Sequence, residues 1–326
     1  MSKKNVSLKA IAAECGVSVM TVSRALRDFD TVTDGLKEKI RKKAIELGYM
    51  PNHVVQAMAK DEKPVVAVLL DSFSNLYFNT LINELIKLFH EKNEYGFMFL
   101  YSRQLDNDVV KQCVLQRVDL IVTHQELKKE AYEIARLNNI QIVFVGSCKF
   151  DYEMDVISVD NQQGSILAAK YLKNFHNADK YVYIGGNYFL SEQRYHWFSE
   201  ELKNSYSDGC DIKVFITNEE KIETLYSYIV NGYRSLFFYN DMTAYRILDG
   251  LDKIAVDIRK TFPDLHLIGF DGLCEHIPGL KQITTIRIDF VEFANAIYDA
   301  ICNRLENERS PYRYEVLPVS IHRRKI

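Results

Sequence analysis

Apolar residues recur at helical spacing through the first fifty positions, then give way to short continuous apolar runs. Leu8, Ile11, Ala12 and Cys15 make one face of a first short helix, which Gly16 ends. Ser18 stands where an N-cap accepts orphan N–H groups of a second helix. Val19, Val22 and Ala25 or Leu26 are the expected buried positions of that helix, and Met20, Thr21, Ser23, Arg24 and Arg27 the outer ones. A third helix is expected from a cap at Thr33 to about Leu47, with Ile40, Ala44, Ile45 and Leu47 inward and Gly48 at its end. Two short helices joined by a turn at a glycine, the second with a polar outer face, form the pattern of a helix-turn-helix.

Beyond a polar stretch that ends at Pro64, residues 65–70 are uniformly apolar, as in a strand buried on both faces. Further strands are expected at 97–101, 120–122, 142–145, 156–159, 181–184, 214–216, 236–239 and 265–269. Helical periodicity falls between them at 78–92, 109–116, 127–137, 163–172, 193–203 and 242–251. Alternation of this kind predicts parallel sheets covered by helices. Two such sheets in series predict two lobes with a cleft between them.

Charge divides the chain the same way. The first sixty residues hold eleven lysines and arginines against six acids, a net of +5, while the whole chain carries −3. A basic head on an acidic body suits a head that meets phosphates. The chain has 326 residues, 47% of them hydrophobic, enough for a packed core. No apolar run reaches the roughly 18 residues of a membrane helix. The start, MSKKNVS, is basic with no apolar segment after it, so no secretory signal is expected. Six scattered cysteines read as free thiols of a reducing cytoplasm, without zinc-site spacing. No glycine-rich dinucleotide or phosphate loop occurs, and no catalytic triad or metal set can be assigned from spacing. An α/β enzyme or a solute-binding protein with an unrelated helical cap is the alternative reading. The missing motifs argue against the first, and the basic head and absent signal against the second. No enzyme activity, cofactor or metal is expected.

Residues 12–26, AAECGVSVMTVSRAL, followed by 47–52, LGYMPN, resemble the N-terminus of the LacI/GalR family of bacterial transcription regulators. The resemblance extends through 155–186, Tyr239-Asn240-Asp241, IGFDG at 268–272 and LPVS at 317–320, so it covers essentially the whole chain. It implies an N-terminal all-α helix-turn-helix domain (1–50), a hinge helix and linker (51–63), and an α/β two-lobed effector-binding and dimerisation domain (64–326). That last domain would be periplasmic-binding-protein-like (type I) with parallel sheets. Lobe 1 would span about 64–160 and 288–318, and lobe 2 about 161–287 and 319–326. The implied function is a repressor, allosterically controlled by a sugar or sugar derivative. It would act as a homodimer on a pseudo-palindromic double-stranded operator in the bacterial cytoplasm, at the nucleoid and away from membranes. Val19 and Met20 would start the recognition helix and meet thymine methyls, and Arg24 would pair with a guanine. Ser18, Thr21 and Ser23 suit phosphate oxygens. Asn52 would cap the hinge helix, and Met58 stands where the family inserts a leucine into the minor groove.

Ligands of parallel sheets bind beyond the carboxyl ends of the strands. Asp71, Tyr77, Phe78, His124, Ser147, Asp160, Arg194, Asn240 and Asp271 fall there. A sugar needs carboxylates, amides, an arginine and an aromatic face, and this set supplies all four. The resemblance adds weight to Arg194, Asp271, Asn240, Asp160, Tyr77 and Phe78, and the expected effector set is completed by Asp71 and Ser147. Plainer readings stand beside these: an Arg194–Asp271 structural salt bridge, Asp160 as a helix cap, Tyr77 and Phe78 as lobe core, His124 as a loop histidine. Where the family often has Asp-Gly, an acidic-basic pair, a glycine and a polar residue, this chain has Asp119-Leu120, Gly146-Ser147, Trp197 and Ile288. A slightly longer segment at 278–285 adds to these departures, which together imply a pocket less polar than a simple sugar site.

Overall fold

The computed structural model describes residues 8–26, 31–47, 63–70, 75–102, 104–125, 127–149, 151–175, 179–207, 209–217, 219–255, 257–273, 277 and 283–323. The chain divides into two compact units, Met1–Lys63 and Pro64–Ile326. The first contains α1 (Leu8–Cys15), α2 (Val19–Leu26) and α3 (Asp34–Glu46). Ile11, Ala12, Cys15, Val22, Ala25, Val32, Ile40 and Ala44 form its core. Gly16 turns the chain at φ +69°, and the Val17 N–H donates back to the Ala12 carbonyl, which closes α1 in a Schellman-type cap. Ser18 Oγ accepts from the Thr21 N–H at 3.0 Å and so caps α2. Val19 is not buried as its spacing suggested but 40% exposed. Helical Cα–Cβ bonds tilt towards the N-terminus, so the first side chain of a short helix projects past its end.

The second unit has two six-stranded sheets. In lobe 1, β1 (Val65–Leu70), β2 (Gly96–Tyr101), β3 (Leu120–Thr123), β4 (Gln141–Val145) and β5 (Asp155–Val159) alternate with α4 (Leu76–Lys92), α5 (Asn107–Leu115) and α6 (Lys129–Leu137). The chain then enters lobe 2 through α7 (Asn161–Lys173), β6 (Lys180–Gly185), α8 (Phe189–Ser205), β7 (Asp211–Ile216), α9 (Ile222–Val230) and β8 (Ser235–Phe238). Lobe 2 continues with α10 (Asp241–Ile254), α11 (Ile258–Thr261), β9 (His266–Asp271) and β10 (Thr284–Arg287). The chain returns to lobe 1 for α12 (Phe290–Glu306) and β11 (Tyr314–Leu317) and ends on β12 (Ser320–His322) in lobe 2. The sheet orders are β11-β5-β4-β3-β1-β2 and β12-β10-β9-β8-β6-β7. Every pairing is parallel except β10 with β12. The apolar runs became the central strands because helices cover both faces of each sheet, as in the wholly buried β3 and β8. Among the described residues no helix is long and apolar enough to cross a membrane.

One contact that the sequence pattern did not reveal closes lobe 1. Arg304, in the last turn of α12, meets Asp155 at the start of β5 through two bonds of 2.7 and 2.9 Å, and both side chains are fully buried. The same guanidinium donates to the carbonyls of Glu308, Ser310 and Pro311, so every N–H it carries is used. Asp155 also accepts from the Arg313 N–H at 2.8 Å, beside β11. Arg304→Ala is expected to cost about 3–5 kcal/mol, because it strands a buried carboxylate. The double change Arg304→Met with Asp155→Leu should cost clearly less. Equilibrium urea unfolding followed by circular dichroism checks both.

Candidate functional site

On the head, the cap at Ser18 fixes where α2 begins and which side chains lead it. Met20 is 65% exposed, Val19 and Arg24 are exposed, and Thr21 and Ser23 are half-buried. The Ser18 and Thr21 hydroxyls hydrogen-bond each other at 2.8 Å. The face offers two apolar tips at its leading turn and a guanidinium one turn further on, suited to thymine methyls and a guanine edge. Asn52 and Met58 lie outside the described residues, as does Asp71.

In the body, Arg194 on α8 is the hub. It is 3% exposed. Nε donates to Asn161 Oδ1 at 2.9 Å, and Nη1 donates to the Tyr239 carbonyl. Cζ sits 3.5 Å from the Phe270 ring centroid and 5.1 Å from that of Tyr239, a cation held between two aromatic faces. Nη2 donates to no described residue. Asp271, at the end of β9, is 3.9 Å from Nη1 and 4% exposed. Its φ is +112°, a left-handed conformation that costs a non-glycine residue on the order of 1–3 kcal/mol. Burial raises its carboxyl pKa well above the usual aspartate range; Arg194 pulls it down and the neighbouring Asp241 pushes it up. No described residue donates a hydrogen bond to that carboxylate.

Two tyrosines complete the constellation. Tyr77 opens α4, with its N–H on the Asn75 cap at 3.2 Å and its ring edge-on to Phe290 at 5.4 Å. Burial and then the charge of Asp271 raise its phenol above the ordinary range. The Tyr239 phenol is pushed up to about 12, chiefly by burial. Neither hydroxyl bonds to a described residue. A buried carboxylate, a guanidinium and two phenols offer the hydrogen-bonding groups that a hydroxyl-rich ligand can match.

The other expected residues have partners of their own. Asp160 caps α7 by accepting from the Gln163 N–H at 2.7 Å, and Asn240 caps α10 by accepting from the Thr243 N–H at 2.8 Å. Ser147 accepts from Asn161 Nδ2 at 3.1 Å. Phe78 stacks on His124 at 3.5 Å and lines a small apolar cavity with Leu81, Ile82 and Val122, inside lobe 1 and apart from Arg194. Ile288 belongs to the core, and Trp197 is half-buried against His196. Asn161 and Tyr239 were missed as site residues. The available signal was position: Tyr239 directly follows β8, and Asn161 opens the first helix after the lobe crossing. Among the described residues no cluster of histidines, cysteines and acids could hold a metal.

Residues 7–52 match the family described as bacterial regulatory proteins, lacI family. Over 325 residues the chain is 23% identical to the sucrose operon repressor of Lactococcus lactis subsp. lactis, which covers 97% of this chain and 98% of that protein. A LacI family transcriptional regulator from Silicibacter pomeroyi shares the fold with a TM-score of 0.76, at 20% identity and 98% coverage of both chains. The Lac repressor dimer bound to operator and the anti-inducer ONPF shares it with a TM-score of 0.74, at 18% identity and 99% coverage of both.

The buried carboxylate gives a pH prediction. A group whose pKa rises on folding stabilises the fold while protonated, and that contribution is lost as pH climbs from its unfolded to its folded pKa. Asp271→Asn should therefore raise the thermal midpoint at pH 7, and the gap should narrow towards pH 4. Differential scanning calorimetry across that range checks it.

Proposed function

We propose that this chain, a member of the LacI/GalR family of bacterial regulatory proteins, represses transcription by binding an operator, with an affinity that a carbohydrate effector controls. The observation that carries the reading is the α2 surface: a capped helix, in the segment that matches the family, whose exposed leading residues are Val19, Met20 and Arg24. Helices of this motif enter the major groove with their N-terminal turn against base edges. Two heads on a pseudo-palindrome call for a homodimer. Residues 51–63 would serve as its hinge, with Asn52 as a cap and Met58 as the apolar wedge.

The effector would occupy the cleft of the body, where Arg194, Asp271 and Tyr77 converge and Tyr239 adds a fourth polar tip. A sugar is favoured because a buried carboxylate and arginine with unused hydrogen-bonding capacity match vicinal hydroxyls. That a relative is a sucrose operon repressor supports the same class. The sugar would bind one arrangement of the lobes better than the other, and that difference is what reaches the operator.

Selection from a random duplex pool, followed by gel shift at fixed salt, tests the reading. Arg24→Ala should weaken binding to the selected duplex by about 1–3 kcal/mol and relax discrimination at one base position. Unchanged discrimination would remove Arg24 from the readout. Asp271→Ala should abolish the response to sugar while leaving operator binding without sugar intact, which calorimetry and gel shift read separately.

A further inference from the structure

β11 is an edge strand of the lobe 1 sheet, and among the described residues nothing pairs with its outer side. The carbonyls of Arg313 and Leu317 accept from the N–H groups of Val156 and Asp160, both at 2.8 Å. Backbone groups alternate along a strand, so Tyr314 and Val316 turn theirs to the open edge. Their side chains are exposed as well, 68% at Tyr314 and 45% at Val316, and Tyr312 just before them is 44% exposed. Arg313 and Glu315 alternate with these residues, point to the other face and pair at 2.6 Å. Folded proteins blunt such edges with lysines, prolines or bulges. Residues 312–317, YRYEVL, contain no lysine or proline, and the register of β11 with β5 runs unbroken. Pro311 and Pro318 stand just outside and limit how far pairing can run.

The order of these residues is self-complementary. In an antiparallel pair, residues whose backbone faces the edge must meet residues that do the same, so two copies of β11 related by a two-fold axis have few registers open. A two-fold centred on Arg313 sets arginine against arginine, and one centred on Glu315 sets glutamate against glutamate. Centred on Tyr314, it sets Arg313 of each copy against Glu315 of the other, and Tyr312 against Val316. Opposite charges and aromatic–β-branched pairs across strands stabilise such a ribbon, and like charges oppose it. Each arginine then lies between two carboxylates, its own Glu315 and that of the second copy.

We propose that β11 is a self-association surface: two copies of this chain pair antiparallel through it, with the two-fold at Tyr314, and their lobe 1 sheets join into one. The occupant is a second copy because the charge pattern reads the same from both sides of the axis. A ribbon this short falls well below the roughly 20–30 residues a side of a standard interface, so the association is weak, in the micromolar range. It is separate from operator and effector binding, and its test needs neither ligand.

Sedimentation velocity of the full chain across a concentration series tests it. The native chain should form a species at least twice the mass of its dilute form. Arg313→Glu and Glu315→Arg, which place like charges across the ribbon, should each weaken that association about ten-fold or more. Mixed in equal amounts the two variants should recover it, because one copy then carries only glutamates at the paired positions and the other only arginines. The double change Arg313→Glu with Glu315→Arg should associate as the native chain does, and Tyr314→Lys should not. Far-ultraviolet circular dichroism checks that each variant is folded; if a single variant is not, the double change and Tyr314→Lys decide. No heavier species in the native chain, one that Tyr314→Lys leaves unchanged, a double change that fails to associate, or folded single variants that do not recover on mixing would overturn the proposal.

Discussion

Everything in the body follows from one constraint: a parallel sheet puts all its carboxyl ends on one side, and the two sheets are joined only there. The chain leaves β5 for α7, leaves β10 for α12, and leaves β11 for β12, crossing between lobes each time just past a carboxyl end. The residues that follow those ends therefore gather around a common cleft whatever their separation in sequence. Arg194 reaches Asn161, 33 positions away, and the Tyr239 carbonyl, 45 positions away, because α8, α7 and β8 all present their ends to that space.

Among the described residues the body buries two arginine–aspartate pairs and treats them oppositely. Arg304 and Asp155 satisfy each other and the surrounding carbonyls completely, at 2.7–2.9 Å between charges. Such a pair has nothing left to offer a ligand, and its role is to pin α12 and β11 to β5. Arg194 and Asp271 stand 3.9 Å apart, and among the described residues nothing donates a hydrogen bond to the carboxylate. A buried carboxylate on a residue held at φ +112° works against stability. In the proposed function, hydroxyl groups of an effector would meet that polarity.

The head solves a smaller problem with local means. Among the described residues, seven core side chains from the three helices and Val32 before α3 make a small apolar core, so the turn and the caps matter more than in the body. The Gly16 turn and the Ser18 cap set the start of α2, and the start of α2 sets which side chains lead it. Exposure of Val19 and Met20 is thus a consequence of capping geometry, and in the proposed function these apolar tips would supply methyl contacts in a groove.

The sequence alone determined the order of elements, the parallel sheets and the helix-turn-helix, because these rest on periodicity, caps and breakers that act over a few residues. It also pointed to Arg194, Asp271 and Tyr77, since their positions after strands follow from element order. Tertiary structure decided the rest. Asp160 and Asn240 each give one side-chain oxygen to a helix N–H group, Phe78 turns into lobe 1, and Val19 faces outward. Asn161, Tyr239 and the Arg304–Asp155 pair emerged only with the fold. Whether a polar side chain ends satisfied depends on partners that lie as far as 204 positions away, as Glu94 does from Tyr298, and no local pattern encodes that distance.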